Sequence, residues 1–173
     1  MNRLLPWPRR RDRAGRPASR TDYAGALYGS LLAASVIATA GAAGDFPRFQ
    51  LVALLLVTGL VFWAAHVYAR LAGERLTGQG ISGAEVRAVG RHEWPIVEAA
   101  VLPAAAVAVS PLLGLGLSGA AWLALAVAVA QLVAWAFLGA LHAGASRSQA
   151  AVEGVVNLFL GLVLVAAKAA IGH

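Results

Sequence analysis

Apolar residues in this chain fall into five long runs, Ala24–Ala43, Leu51–Ala72, Ile96–Leu115, Ala120–Leu141 and Val152–Ile171, with polar residues gathered between them. Each run is close to the roughly 20 residues that a helix needs to cross a hydrocarbon layer about 30 Å thick. The pattern predicts an all-α bundle of five membrane spans over residues 23–173, preceded by a basic arm over residues 1–22. The longest stretches outside the spans are that arm and the piece from Gly73 to Pro95, so no separate soluble domain is expected. In that piece "SGAE", Ser82 to Glu85, fits a capping box in which serine and glutamate each satisfy the other's backbone amide, and it predicts a short helix lying on the membrane surface. Trp94 and Pro95 mark the headgroup level and the first turn of the third span, and Ser118 is placed to cap the fourth.

Composition agrees with lipid as the solvent: 60% of the 173 residues are hydrophobic and 13% are charged, with a mean hydropathy of +0.72. The net charge of +6 follows topology rather than nucleic acid, because seven of the fourteen basic residues (Arg3, Arg9, Arg10, Arg11, Arg13, Arg16 and Arg20) precede the first span. Alternating the spans from a cytoplasmic N-terminus adds Arg70, Arg75, Arg87, Arg91 and Arg147 to the inner side and leaves Arg48 and Lys168 outside, twelve against two. The expected setting is a bacterial plasma membrane, N-terminus in and C-terminus out, with the arginine arm on anionic headgroups. A cleavable signal peptide is the competing reading of the first span, since "ATAGAAG" offers small residues at its end.

Within the spans, polar residues are costly and mark sites or structural bonds. His66, Arg70 and Glu74 recur at intervals of four on one helix face. Glu98 lies in the first turn of the third span, His142 closes the fourth, and Glu153 and Asn157 open the fifth. All are expected to point inward, toward a cytoplasmic vestibule. In the functional reading His66, Glu98 and Glu153, with His142, hold a divalent cation or pass protons. In the structural reading Arg70 pairs with Glu74, Glu98 or Glu153 and the histidines bond to backbone or headgroups. Gln131 and Asn157 are expected to hydrogen-bond between helices. Gly25, Gly29 and Ala33 leave one face of the first span without bulk, which predicts a homodimer packed there. Pro103 and Pro111 predict kinks in the third span.

The layout of five spans with one long connection between the second and third resembles the vacuolar iron transporter family. "EAAVLPAAAVAVSPLLGLGL" is similar to that family's third span, and "AFLGALHAGASRSQAAVEGVVNLFLGLVLVAAKAAIG" to its region from the fourth span to the fifth. The resemblance implies cation transport, yet the family's ligand positions fall on Tyr28, Trp63 and Val67, which are not metal ligands of that kind. The sequence has no cysteine, HExxH, nucleophile elbow or P-loop, so neither an enzyme nor a cofactor is expected. Two functions remain open: a small transporter-like protein for a divalent cation or protons, and a non-catalytic membrane interaction protein.

Overall fold

A computed structural model describes residues 23–40, 47–75 and 82–171, apart from the side chains of residues 74, 75 and 171. The basic arm and the signal-peptide alternative at the end of the first span lie outside the described residues. The elements are α1 (Tyr23–Ala40), α2 (Arg48–Arg75), α3 (Gly83–His92), α4 (Pro95–Val109), α5 (Leu117–His142) and α6 (Arg147–Ile171). A 3-10 turn, Ser110–Leu113, continues α4. All of these are helices, and five, every one except α3, are long and apolar enough to cross a membrane.

α1 packs against each of the other four long helices, and these follow one another around it in the order α2, α4, α5, α6. α2 and α6 end the arc and are mostly exposed, whereas half of α1 is buried. The core is built of small and medium side chains, Ala34, Ile37, Leu55, Val107, Ala124, Leu125 and Ala128, so helices approach closely rather than interlocking large residues.

The small-residue stripe of α1 shows this approach and corrects one expectation. Gly25, Gly29 and Ala33 are buried inside the chain. A Cβ on Gly29 would lie 2.7 Å from both the Ala99 Cβ and the Ile96 carbonyl oxygen of α4. The face predicted to hold a second copy is therefore already occupied by α4, and a dimer cannot use it.

Each proline of the third span frees one carbonyl from its usual partner: the one freed by Pro103 is met by a side chain of another helix, and the one freed by Pro111 by both the backbone N–H and the hydroxyl of Ser110. Proline has no N–H, so Pro103 frees the oxygen of Ala99 and Pro111 frees that of Val107, four residues earlier in each case. Gln131 of α5 donates its amide to the Ala99 carbonyl at 3.2 Å and to Ser30 Oγ of α1 at 3.3 Å. Ser30 in turn donates to the Ala26 carbonyl at 2.8 Å. Every partner of the Gln131 nitrogen is an acceptor there, which fixes the amide's orientation. Ser110 donates its hydroxyl to the Val107 carbonyl at 2.7 Å. Gln131 is thus the interhelical partner expected from the sequence, and it ties α1, α4 and α5 together near mid-span.

Candidate functional site

The two ends of the bundle are built differently. At the end of Arg48 and Lys168, both basic residues fasten helices. Arg48 donates Nε to Ser110 Oγ at 3.2 Å and its terminal nitrogen to the Leu115 carbonyl, joining α2 to the connection before α5. Lys168 is only 7% exposed, reaches the Ile37 carbonyl of α1 at 3.4 Å, and lies 5.6 Å from the centre of the Trp122 ring. Ile37 is in the last turn of α1, where carbonyls lack intrahelical partners and a cation is favoured.

At the other end, where Tyr23, Arg70, His142 and Arg147 lie, the residues singled out in the sequence are distributed over three places. The first is the junction of α2, α3 and α4. Arg70 pairs with Glu93 at 2.9 Å, with the arginine 52% and the glutamate 6% exposed. Sequence reasoning named Glu74, Glu98 and Glu153 as partners and placed Glu93 outside the third span. The tight turn between α3 and α4 instead folds Glu93 inward, while the Glu74 side chain is outside the described residues. Trp63 donates to the Gly90 carbonyl at 2.8 Å and meets Trp94 edge-on at 5.6 Å, which seats α3 on α2. α3 begins at the predicted capping box, with Glu85 N–H donating to Ser82 Oγ and Ser82 N–H to the Glu85 carboxylate.

The second place is the contact between α1 and α2. His66 is half-buried with its ring 4.8 Å from that of Tyr28, and its Nδ1 lies 2.9 Å from the Phe62 carbonyl. A carbonyl only accepts, so Nδ1 carries a hydrogen and donates it. Glu98 does not join it. It is exposed on the outward face of α4 that carries Val101 and Leu102, in the first helical turn where the helix dipole favours a carboxylate.

The third place is a cleft of about 750 Å³ bounded by α1, α5 and the start of α6. Leu27, Ala136, Gly139 and Ala140 form its inner wall, and Gln149, Val152 and Glu153 its outer wall. Ala140 and Ala143 contribute only methyl groups to the lining, and Gly139 lets α1 approach α5, since a Cβ there would lie 3.0 Å from the Tyr23 Cβ. Gly144 also turns the chain with φ of +91°, a conformation glycine adopts without strain. Ser146 and Gln149 start α6 as a second capping box, with Ser146 N–H donating to Gln149 Oε1 at 2.9 Å and Gln149 N–H to Ser146 Oγ at 3.3 Å. This fixes Gln149 at the cleft wall and extends α6 five residues before the predicted span. Among the described residues, Glu153 is the one lining the cleft that carries a charge. Nearby, His142 stacks on Tyr23 with centroids 5.4 Å apart, and its Nδ1 donates to the Leu138 carbonyl at 2.8 Å.

Several expectations are corrected by this arrangement. His66, Glu98 and Glu153 do not form a metal site, and among the described residues no three or more histidine, aspartate or glutamate side chains gather to hold a metal ion. The residues do not all point inward either, since Arg70, Glu98, His142 and Glu153 are exposed and only Glu153 faces the cleft. Asn157 donates to the carbonyl of Glu153 in its own helix at 2.9 Å rather than to another helix. Ser118 does not cap α5, whose cap position is Gly116.

An all-helical chain with five helices long and apolar enough to cross a membrane defines a multi-pass membrane protein as the compatible class. No family model, curated protein or solved structure matches it.

Proposed function

We propose that this chain is a small transporter-like protein of a bacterial plasma membrane that admits a proton or a small cation from the cytoplasm into the cleft between α1, α5 and α6. The observation that carries the reading is the Glu153 carboxylate on the wall of a cleft whose other described lining residues are uncharged and mostly small. A carboxylate within a membrane helix is the kind of group that marks an ion or proton path. The orientation rests on the alternation of spans along the sequence, which assigns twelve basic residues to the cytoplasmic side and two to the other, with the arginine arm drawn to anionic headgroups. α3 then lies along the inner membrane surface, held there by Trp63 and Trp94. A divalent ion is the poorer fit, because His66 and Glu98 lie in other parts of the bundle. Purified protein in liposomes is expected to carry a proton or monovalent-cation flux that falls at least several-fold in Glu153→Gln. Wild-type flux equal to that of protein-free vesicles, under both pH gradients and several cations, rejects transport.

The second reading, a non-catalytic interaction protein, is favoured by the structural use of Arg48, Arg70, Gln131 and Lys168, which all join helices of the same chain. It is also favoured by the broad apolar outer faces of α2, with Val57 and Val61, and of α6, with Val155 and Phe159. Under it, homodimers form through those outer faces and particles in lipid nanodiscs carry two chains. Single-chain particles would count against it.

A further inference from the structure

Two polar atoms on the inner face of α5 are buried without a hydrogen-bond partner: the oxygen Oε1 of Gln131 and the indole nitrogen Nε1 of Trp135. One only accepts and the other only donates. Gln131 is 8% exposed and close to the middle of the 26-residue helix α5. An unsatisfied group at that depth costs several kcal/mol in lipid surroundings, far more than an exposed one. The Gln131 amide cannot rotate to relieve its oxygen, because its nitrogen faces the Ala99 carbonyl and a Ser30 hydroxyl whose hydrogen is given to Ala26. Residues 131 and 135 are one turn apart on the same face, with Cβ atoms about 6 Å from each other by helix geometry. Two residues of the cleft wall are close to them along the helices: Ala136 follows Trp135 directly, and Leu27 lies one turn before Ser30.

From this we infer that a water molecule sits between α1 and α5, accepting from Trp135 Nε1 and donating to Gln131 Oε1, and that it is continuous with water in the cleft. A water in this position satisfies both orphaned atoms and retains one hydrogen and one lone pair for the next water toward Glu153, within the two to four partners that buried waters make. Solvent then reaches from the cleft mouth to the Gln131 bridge that ties α1, α4 and α5. The site stands whether or not the cleft carries a cation.

The test is the indole N–H of Trp135 in the full chain in lipid nanodiscs, labelled with nitrogen-15 tryptophan and assigned by the loss of one peak in Trp135→Phe. The expected result is a downfield indole proton with a cross-peak to the water resonance in wild type, and loss of that cross-peak in Gln131→Met. The Trp63 and Trp94 peaks, unchanged, report an intact fold. The competing arrangement is an N–H directed at the ring of Tyr23, whose centroid is 5.8 Å from that of Trp135 at an angle of 59°. That arrangement gives an upfield proton, no water cross-peak and an N–H insensitive to Gln131. Such a spectrum of the wild-type protein overturns the proposal even if Gln131→Met does not fold.

Discussion

Gln131→Leu is the substitution whose effect follows most directly from the structure, because its magnitude depends on a proline in another helix. Leucine is close in volume, and the change removes two hydrogen bonds, at 3.2 and 3.3 Å, toward the long end of the normal range. Interhelical bonds in membranes average about 0.6 kcal/mol and reach about 1.7 kcal/mol, which sets the lower part of the expected loss. The upper part comes from the Ala99 carbonyl, for which Pro103 provides no replacement, and a buried acceptor left unpaired costs about 1 to 3 kcal/mol. We expect destabilisation of about 1 to 2.5 kcal/mol. In a Pro103→Ala background the backbone N–H at position 103 returns to the Ala99 carbonyl, and the cost of Gln131→Leu should drop below about 1 kcal/mol. The packing lost with the buried proline ring is common to both arms of the cycle and cancels. Steric-trapping measurements of unfolding in bicelles on the four proteins give the coupling energy. A coupling smaller than about 0.5 kcal/mol, the ordinary error of additivity, would refute the claim that Gln131 repairs the proline break.

The remaining predictions use the same assay. Gly29→Ala should destabilise by about 1 to 3 kcal/mol by driving α1 from α4, whereas Gly73→Ala, where nothing lies within 4 Å of the added Cβ, should be neutral or stabilising by up to about 1 kcal/mol; equal effects would contradict the close contact at Gly29. Arg70→Ala should cost more than the paired change Arg70→Ala with Glu93→Gln, because the single change leaves a buried carboxylate without its cation; the reverse order would show that Glu93 is not held by that pair. Trp63→Phe should speed amide hydrogen exchange in α3 while leaving α5 unchanged, and unchanged exchange in α3 would remove Trp63 from the account of its seating.

How much of this was legible in the sequence depended on whether the signal was local. Span length, the capping box at Ser82 and the polar character of Gln131 are properties of one segment, and each appears as expected in α1 to α6. The second capping box, Ser146 to Gln149, carried the same signal but lay before the apolar run taken as the span, so α6 was read five residues short. The prolines announced kinks, and the rule that each frees the carbonyl four residues earlier identifies Ala99 and Val107 from sequence alone.

Which side chain meets the Ala99 carbonyl was decided by tertiary structure, since Gln131 is 32 residues from Ala99 and Ser30 is 101 residues from Gln131, whereas Val107 is met locally by Ser110, three residues on. The same holds for charge. Position along the span and spacing of four put Arg70 near several carboxylates, but the turn between α3 and α4 selected Glu93. Alanine-rich helices have so little variation around their circumference that the sequence does not say which face is inward; this misplaced the Gly25–Gly29–Ala33 stripe and the direction of Glu98. Apolar length and basic asymmetry were fixed by the chain as written, because lipid acts on each segment separately. The cleft beside Glu153 exists only once α1, α5 and α6 are packed, because its walls come from residues that have no polar signal of their own.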